Sequence, residues 1–282
     1  MQYLGRPPVP PLDRFIERIW YCSATPPHTR ERVIPGGGTV DLIVNLFADE
    51  VKIFHPDEPA VARSHAGTLI QGAYTRSFMV DPRQRASVMG VHFRPGGALP
   101  FLGTSPSELV DSHVELRDVW GSSALLLREQ LLEASSTAAR FAILEEALLQ
   151  RLRRARPQHP AVAAAVAALA DNGPGARVTA VASAVGLSRR RFIEVFEREV
   201  GLTPKLYARL QRFHRVKQRI AMLGGPPSWA SFAIDCGYFD QAHMIREFVE
   251  FSGISPAGYL RGGQSETLFD QLVHAYPGSP PA

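Results

Sequence analysis

One pattern occurs twice in the last third of this chain. Ala182, Gly186, Phe192, Phe196, Gly201-Leu202-Thr203-Pro204 and Tyr207 recur as Ala233, Gly237, Met244, Phe248, Gly253-Ile254-Ser255-Pro256 and Tyr259. The alanines and the first glycines are offset by 51, whereas Phe196/Phe248, Pro204/Pro256 and Tyr207/Tyr259 are offset by 52. The copies are therefore collinear except for one extra residue between Gly237 and Met244. A duplicated helix-turn-helix accounts for this, with the glycine in the turn and the aromatics holding the following helix against its neighbours.

With 282 residues the chain has room for this unit and a second domain. Cys22 and Cys236 read as buried thiols of a reducing cytoplasm rather than a disulfide. The proline-rich start lacks the apolar core of a secretory signal. The most apolar run, Ala161 to Ala170, is too short and alanine-rich to span a bilayer, so no membrane partner is expected. Residues 1–156 hold 18 basic and 17 acidic side chains, whereas residues 157–263 hold 13 and 8. The basic excess thus coincides with the duplicated unit, the footprint expected of a polyanion binder.

The pattern along the chain predicts an α+β protein. Residues 1–156 read as a β-rich, barrel-like domain with helices at its C-terminal end, a sensing or dimerisation domain. Its strand candidates are Thr39 to Leu46, Val51 to Phe54, Thr68 to Tyr74 and Ser87 to Phe93, each bounded by turn residues. From Ser122 the period changes, and Leu125, Leu126, Leu132 and then Phe141, Leu144, Leu148 and Leu152 predict two amphipathic helices. Packing on their own barrel and a dimer interface explain these equally well. Residues 157–177 read as a linker and the first helix of the next domain, that helix ending at Asp171-Asn172-Gly173-Pro174-Gly175. Residues 178–262 follow as an all-α domain of two helix-turn-helix subdomains joined by a long helix, and residues 263–282 as a loose tail with a possible short helix over Leu268 to Val273.

In detail, Val178 to Ala184 is the first supporting helix and Ser188 caps the next, through Arg189 to Val200. The connector begins near Pro204, with an apolar stripe of Leu206, Leu210, Phe213, Val216 or Lys217, and Ile220. Ser228 is placed as the cap of the second supporting helix, Trp229 to Asp235, and Gln241 to Phe251 as the second recognition helix.

A helix fits the DNA major groove, where base edges present distinct donors and acceptors. Arg189, Arg190, Arg191 and Glu194 lie on the exposed side of the first recognition helix. Arginine can bond guanine twice, and glutamate can accept from the cytosine amine. In the second helix Gln241, His243 and Arg246 are polar, with Ala242 and Ile245 between them to meet thymine methyls. Arg191, Lys205, Arg209, Arg212 and His243 are the phosphate candidates. A single arginine-rich helix start is as often a solvated face; two matched copies favour DNA.

These residues carry a family resemblance. Ala182-Ser183-Ala184-Val185-Gly186-Leu187-Ser188, Gly201 through Tyr207, Arg212-Phe213, Ala233-Ile234-Asp235-Cys236-Gly237-Tyr238, and Arg246-Glu247-Phe248 through Gly253-Ile254-Ser255-Pro256 to Tyr259 and Arg261 resemble the DNA-binding region of AraC/XylS-type bacterial transcription regulators. The resemblance implies base-facing roles for Arg190, Ile193 and Glu194 and for Gln241, Ala242, Ile245 and Arg246. Glu194 stands where that family often has arginine, and Trp229 and Phe232 are bulkier than its usual aliphatics. Trp20-Tyr21, Val33-Ile34-Pro35-Gly36-Gly37, Val91 through Gly97 and Leu116 through Trp120 resemble an actinobacterial-type N-terminal variant of such regulators.

No cofactor, catalytic centre or metal site is expected. His28, His55, His65, His92 and His113 are scattered, with no His-x-His pair followed by an acid and no Cys-x-x-Cys. Gly36-Gly37-Gly38 lacks a following Lys-Ser/Thr, and no Gly-x-Ser-x-Gly elbow exists. His92 reads first as a strand histidine with a local hydrogen bond. Trp20, Arg76, His92 and Arg94 are the candidates for an effector pocket, against plain core or surface roles. The expected partners are double-stranded DNA, a small-molecule effector, RNA polymerase and a second copy of the chain. The rival readings are a constitutive DNA-binding module and a DNA-binding unit fused to an enzyme.

Overall fold

The computed structural model describes residues 2–25, 30–58, 60–155, 157–171 and 178–261. His28, the Asn172 to Gly175 break and the 263–282 tail lie outside them.

The N-terminal region is built in three layers. One sheet runs in the order β1 (Gln2–Arg6), β2 (Ile16–Ser23), β9 (Ser87–Phe93), β4 (Asp41–Asn45), β7 (Thr68–Gln71), β10 (His113–Glu115). A second runs β3 (Glu31–Val33), β8 (Phe78–Val80), β5 (Glu50–Phe54), β6 (Ala62–Ala66). The strands form two sheets that do not close, so the expected barrel is a sandwich backed by helices.

Alternation along the strands explains the layering. Ile19, Tyr21, Leu42, Val44, Met89, Val91 and Phe93 share one core with Trp120, Leu127, Leu131, Phe141, Leu144 and Leu148. The helical partners are α2 (Leu116–Trp120), α3 (Ser122–Glu133) and α4 (Thr137–Leu152), preceded by the short α1 (Leu99–Leu102). Trp20, Cys22, Ile43, Leu69 and Val88 point the other way, toward Val33, Val51, Phe78 and Val80 of the second sheet. Covered on both faces, β4 is buried at every position, the pattern of a central strand. Gly90 is required in β9 because a Cβ there would come within 2.4 Å of the Trp20 ring.

The C-terminal region is helical: α5 (Ala161–Asp171), α6 (Val178–Ala184), α7 (Arg189–Val200), α8 (Pro204–Ala221), α9 (Trp229–Asp235), α10 (Gln241–Ser252) and α11 (Pro256–Arg261). Its core joins Phe192, Phe196, Tyr207, Leu210, Phe213, Ile220, Phe248 and Tyr259, and also takes in Ile34 and Ala73 from the N-terminal region. The two regions are therefore packed together. Gln211 donates to the Gly37 carbonyl at 2.6 Å, Ser105 to the Arg198 carbonyl at 2.8 Å, and Gln158 to the Gly96 carbonyl at 2.7 Å.

Candidate nucleic-acid interface

The repeat is realised atom for atom at its turns. Leu187 N bonds Ala182 O at 2.9 Å, and Tyr238 N bonds Ala233 O at 2.9 Å. Gly186 and Gly237 adopt φ of 72° and 82°, the left-handed region that glycine enters without steric cost. Ser188 caps α7 by accepting from Arg191 N, and Asp240 caps α10 by accepting from His243 N. Caps and turns align as Leu187 with Tyr238 and Ser188 with Asp240. The inserted residue of the second copy is therefore Phe239, and it is 84 % exposed. Sequence reasoning missed it, because an aromatic inside a repeat reads as core.

The same packing holds both recognition helices. Phe196 meets Tyr207 at 5.5 Å between ring centroids, and Phe248 meets Tyr259 at 5.7 Å. Below these rings the helices bury Phe192 and Val195 in one copy, Met244 and Phe248 in the other. The opposite faces are open: Arg189, Arg190, Arg191, Glu194, Gln241, Ala242 and Arg246 are exposed, with Ile193, Ile245 and His243 half-buried between them. Lys205, at the start of α8, is also exposed.

Within α7 the cations are not independent. Glu194 lies 3.1 Å from Arg190 and 3.5 Å from Arg191. The Arg190 hydrogen bond is the main cause that holds its carboxyl below the ordinary range.

Arg209 and Arg212, expected to meet phosphates, are engaged by carboxylates of α10. Arg212 grips Glu247 with two nitrogens at 2.7–3.0 Å, and Arg209 bonds Glu247 at 2.8 Å and Glu250 at 2.6 Å. Tyr238 completes the set, donating to Glu247 at 2.8 Å. Burial works to raise the Glu247 carboxyl, but these donors outweigh it and hold the group below its ordinary value. The side chains lie between α8 and α10 because a carboxylate buried to 3 % exposure needs compensating charge. Ser228 stands at the start of α9 but makes no side-chain cap bond.

The four effector-pocket candidates do not converge. Trp20 is core; His92 is buried against Asp41, 2.7 Å away; Arg94 is exposed and donates to the Asp13 carbonyl; Arg76 is exposed and lies 3.8 Å from Asp111. The cavity beside Asp41, Gln71 and Tyr74 measures about 20 Å³, space for about one water. A larger open groove of about 700 Å³ runs between α3 and α4, along Leu126, Ile143, Ala147 and Arg151. No cluster of three His, Cys, Asp or Glu suited to a metal occurs among the described residues. No helix among them is long and apolar enough to cross a membrane.

Residues 181–262 match the family described as a helix-turn-helix domain. Residues 5–115 match one described as a domain of unknown function (DUF6597). No curated protein matches the chain. Similar solved structures include a transcriptional regulator with an AraC-type DNA-binding domain from Chromobacterium violaceum, 23% identical over 42% of this chain and 96% of that one, with a TM-score of 0.33. The C-terminal domain of AraT, a response regulator from Geobacillus stearothermophilus, is 18% identical over 38% and 88%, with a TM-score of 0.35. ToxT from Vibrio cholerae, bound to (E)-4-(8-methylnaphthalen-1-yl)but-3-enoic acid, is 9% identical over 93% and 99%, with a TM-score of 0.45.

Proposed function

We propose that this chain, which carries an AraC-type helix-turn-helix domain, is a sequence-specific transcription regulator that lays α7 and α10 in adjacent major-groove segments of double-stranded DNA. The observation that carries this is the pair of matched, capped helices whose polar N-terminal faces are open while their aromatic faces are buried. Their connector, α8, has 18 residues, or about 27 Å at the α-helical rise, against a DNA turn of about 34 Å.

The base-facing set in this reading is Arg189, Arg190, Ile193 and Glu194 in α7, with Gln241, Ala242, Ile245 and Arg246 in α10. Phosphates fall to Arg191, Lys205 and His243. Arg209 and Arg212 act as scaffold, since Glu247 already engages them. Phe239, beside the second cap, adds an apolar contact to the DNA edge. The N-terminal domain senses a small molecule or dimerises, and its signal has a short route through the packed boundary with α7 and α8. The protein works in the cytoplasm, with RNA polymerase as its downstream partner, and not as an enzyme.

Selection of bound fragments from genomic DNA would yield the site. On that site Arg246→Ala should weaken specific binding by about 1–3 kcal/mol and relax one base position. Unchanged affinity in a gel-shift titration would remove Arg246 from the base-reading set. A thermal-shift screen against metabolites separates an effector-controlled regulator from a constitutive one.

A further inference from the structure

Phe239 is held outward by both of its neighbours. Before it, Tyr238 is buried, with its N–H on the Ala233 carbonyl at 2.9 Å and its hydroxyl on Glu247 at 2.8 Å. After it, the Asp240 side chain caps α10 by accepting from His243 N. Between these two anchored residues the Phe239 ring stays in solvent and joins none of the three apolar cores. The first unit has nothing comparable, since Leu187 is followed directly by the Ser188 cap.

The apolar surface continues along α10. Ala242, Ile245 and Val249 stand at i, i+3 and i+7, one face of a helix. Ala242 and Val249 are exposed and Ile245 is half-buried. At the 52-residue offset of the repeat, these three replace Arg190, Ile193 and Glu197 of α7. The second unit thus offers hydrocarbon where the first offers charge, with Gln241 and Arg246 as its exposed polar groups.

In the major groove the thymine C5-methyl is the base group that takes an apolar partner. Resting on the reading of α10 as a recognition helix, we propose that Phe239 packs on the methyl of a single thymine and makes that methyl a determinant of the bound site. Ala242 and Ile245 extend the same A·T preference, so the half-site under α10 is T-rich while that under α7 is read through charged groups.

Three observations select this partner. Phe239 stands at the N-terminal end of α10, the part that a helix-turn-helix turns toward base edges. The adjacent Asp240 carboxylate disfavours a phosphate, which leaves the groove floor rather than the DNA backbone. Gln241, two residues on, is suited to adenine, the pairing partner of thymine.

Base analogues test this on the full chain. Fragments selected from genomic DNA supply the site, and each of its thymines is exchanged in turn for deoxyuridine, which removes the methyl and keeps the O4 acceptor. Wild type and Phe239→Ala are titrated against every exchanged duplex by fluorescence anisotropy. At one thymine under α10 the exchange should weaken wild type about fourfold, the worth of about one buried CH₂, and leave Phe239→Ala unchanged. Equal losses for the two proteins at every thymine overturn the proposal while the reading of α10 stands; the ring would then face another partner, such as a protein. So does Phe239→Ala that binds the unmodified site as tightly as wild type. Selection that enriches no sequence at all would overturn the reading of α10 together with the proposal.

Discussion

Glu194 is the acidic member of an otherwise cationic helix start. Its carboxylate holds Arg190 and Arg191 together, and all three side chains are exposed. Two arginines that share one carboxylate bring less net charge to the phosphates than two that do not. Glu194→Gln should therefore tighten binding to random DNA and steepen the dependence of log K on log salt by up to about one. It should also weaken discrimination wherever cytosine is read. Fluorescence anisotropy titrations across a salt series measure both; an unaltered salt slope would show that the carboxylate does not restrain the arginines. Phe239 poses the complementary question. Removing it would make the second turn the same length as the first, and its 84 % exposure means that no core packing is lost. Its deletion should leave thermal stability within about 0.5 kcal/mol while altering operator affinity, and calorimetry with a gel shift separates the two.

At the scale of elements, the two recognition helices share a scaffold but are braced differently. The second is tied to α8 by the Glu247 cluster. In the first copy the equivalent position is Val195, and α7 is braced at its far end instead. Glu199, buried to 2 % exposure, accepts from His159 N at 3.0 Å and from Arg198 at 2.8 Å. Breaking a buried ion pair typically costs about 3–5 kcal/mol. Glu247→Gln should sit at the lower end, about 3 kcal/mol, because Arg209 is partly open to water. The pH dependence has a definite sign. The folded carboxyl lies below its ordinary value of 4.5, so its contribution is fully present above that pH. It is lost as acidification carries the solution down through the folded value. Denaturant titrations of wild type should show stability falling below about pH 4.5, with part of that slope absent in Glu247→Gln. Equal slopes in the two proteins would mean that the cluster does not favour the ionised form.

Across the whole molecule, the N-terminal region touches the C-terminal ends of both recognition helices. A Cβ on Gly201 would lie 3.1 Å from the Pro106 backbone, and one on Gly253 would lie 2.7 Å from Arg32. The N-terminal ends of both helices stay exposed. Gly38 sits within the boundary at φ 76°, where an added Cβ would come 2.8 Å from Leu202. Gly38→Val should strain the backbone by about 1–3 kcal/mol and loosen the docking. Calorimetry should then resolve two unfolding transitions where wild type shows one. A single transition in the variant would mean that this loop does not couple the regions.

Much of the C-terminal architecture was legible in the residues. The spans of α6, α7 and α9, the Ser188 cap and the stripe of α8 agree with the periodicity, because each helix has one face buried; at α7 and α8 the side chains of Ser188 and Thr203 also satisfy the first amides, whereas Ser228, expected to cap α9, does not. In the N-terminal region β9 and most of β4, β5 and β7 were readable from β-branched runs. β1, β2, β3, β6, β8 and β10 were not: β3, β8 and β10 have only three residues, β1 and β6 have no β-branched residue, and Glu17 and Arg18 interrupt the apolar run of β2. Arg209 and Arg212 show the limit at the interface. Their spacing on an exposed-looking helix suggests phosphates, and nothing local reveals that Glu247, more than thirty residues away, has taken them.

The sequence by itself determined the repeat, its turns and the Ser188 cap, because these depend on neighbours within one or two helical turns. Only the tertiary structure decided that Phe239 is the extra residue left in solvent, that Arg209 and Arg212 pair with Glu247, that the strands form two sheets, and that one domain touches the C-terminal ends of both α7 and α10. Those outcomes depend on which distant side chains share a low-dielectric space, where a charge must find its counter-charge, and on how closely backbones can approach. Both are properties of the assembled packing rather than of any local run of residues.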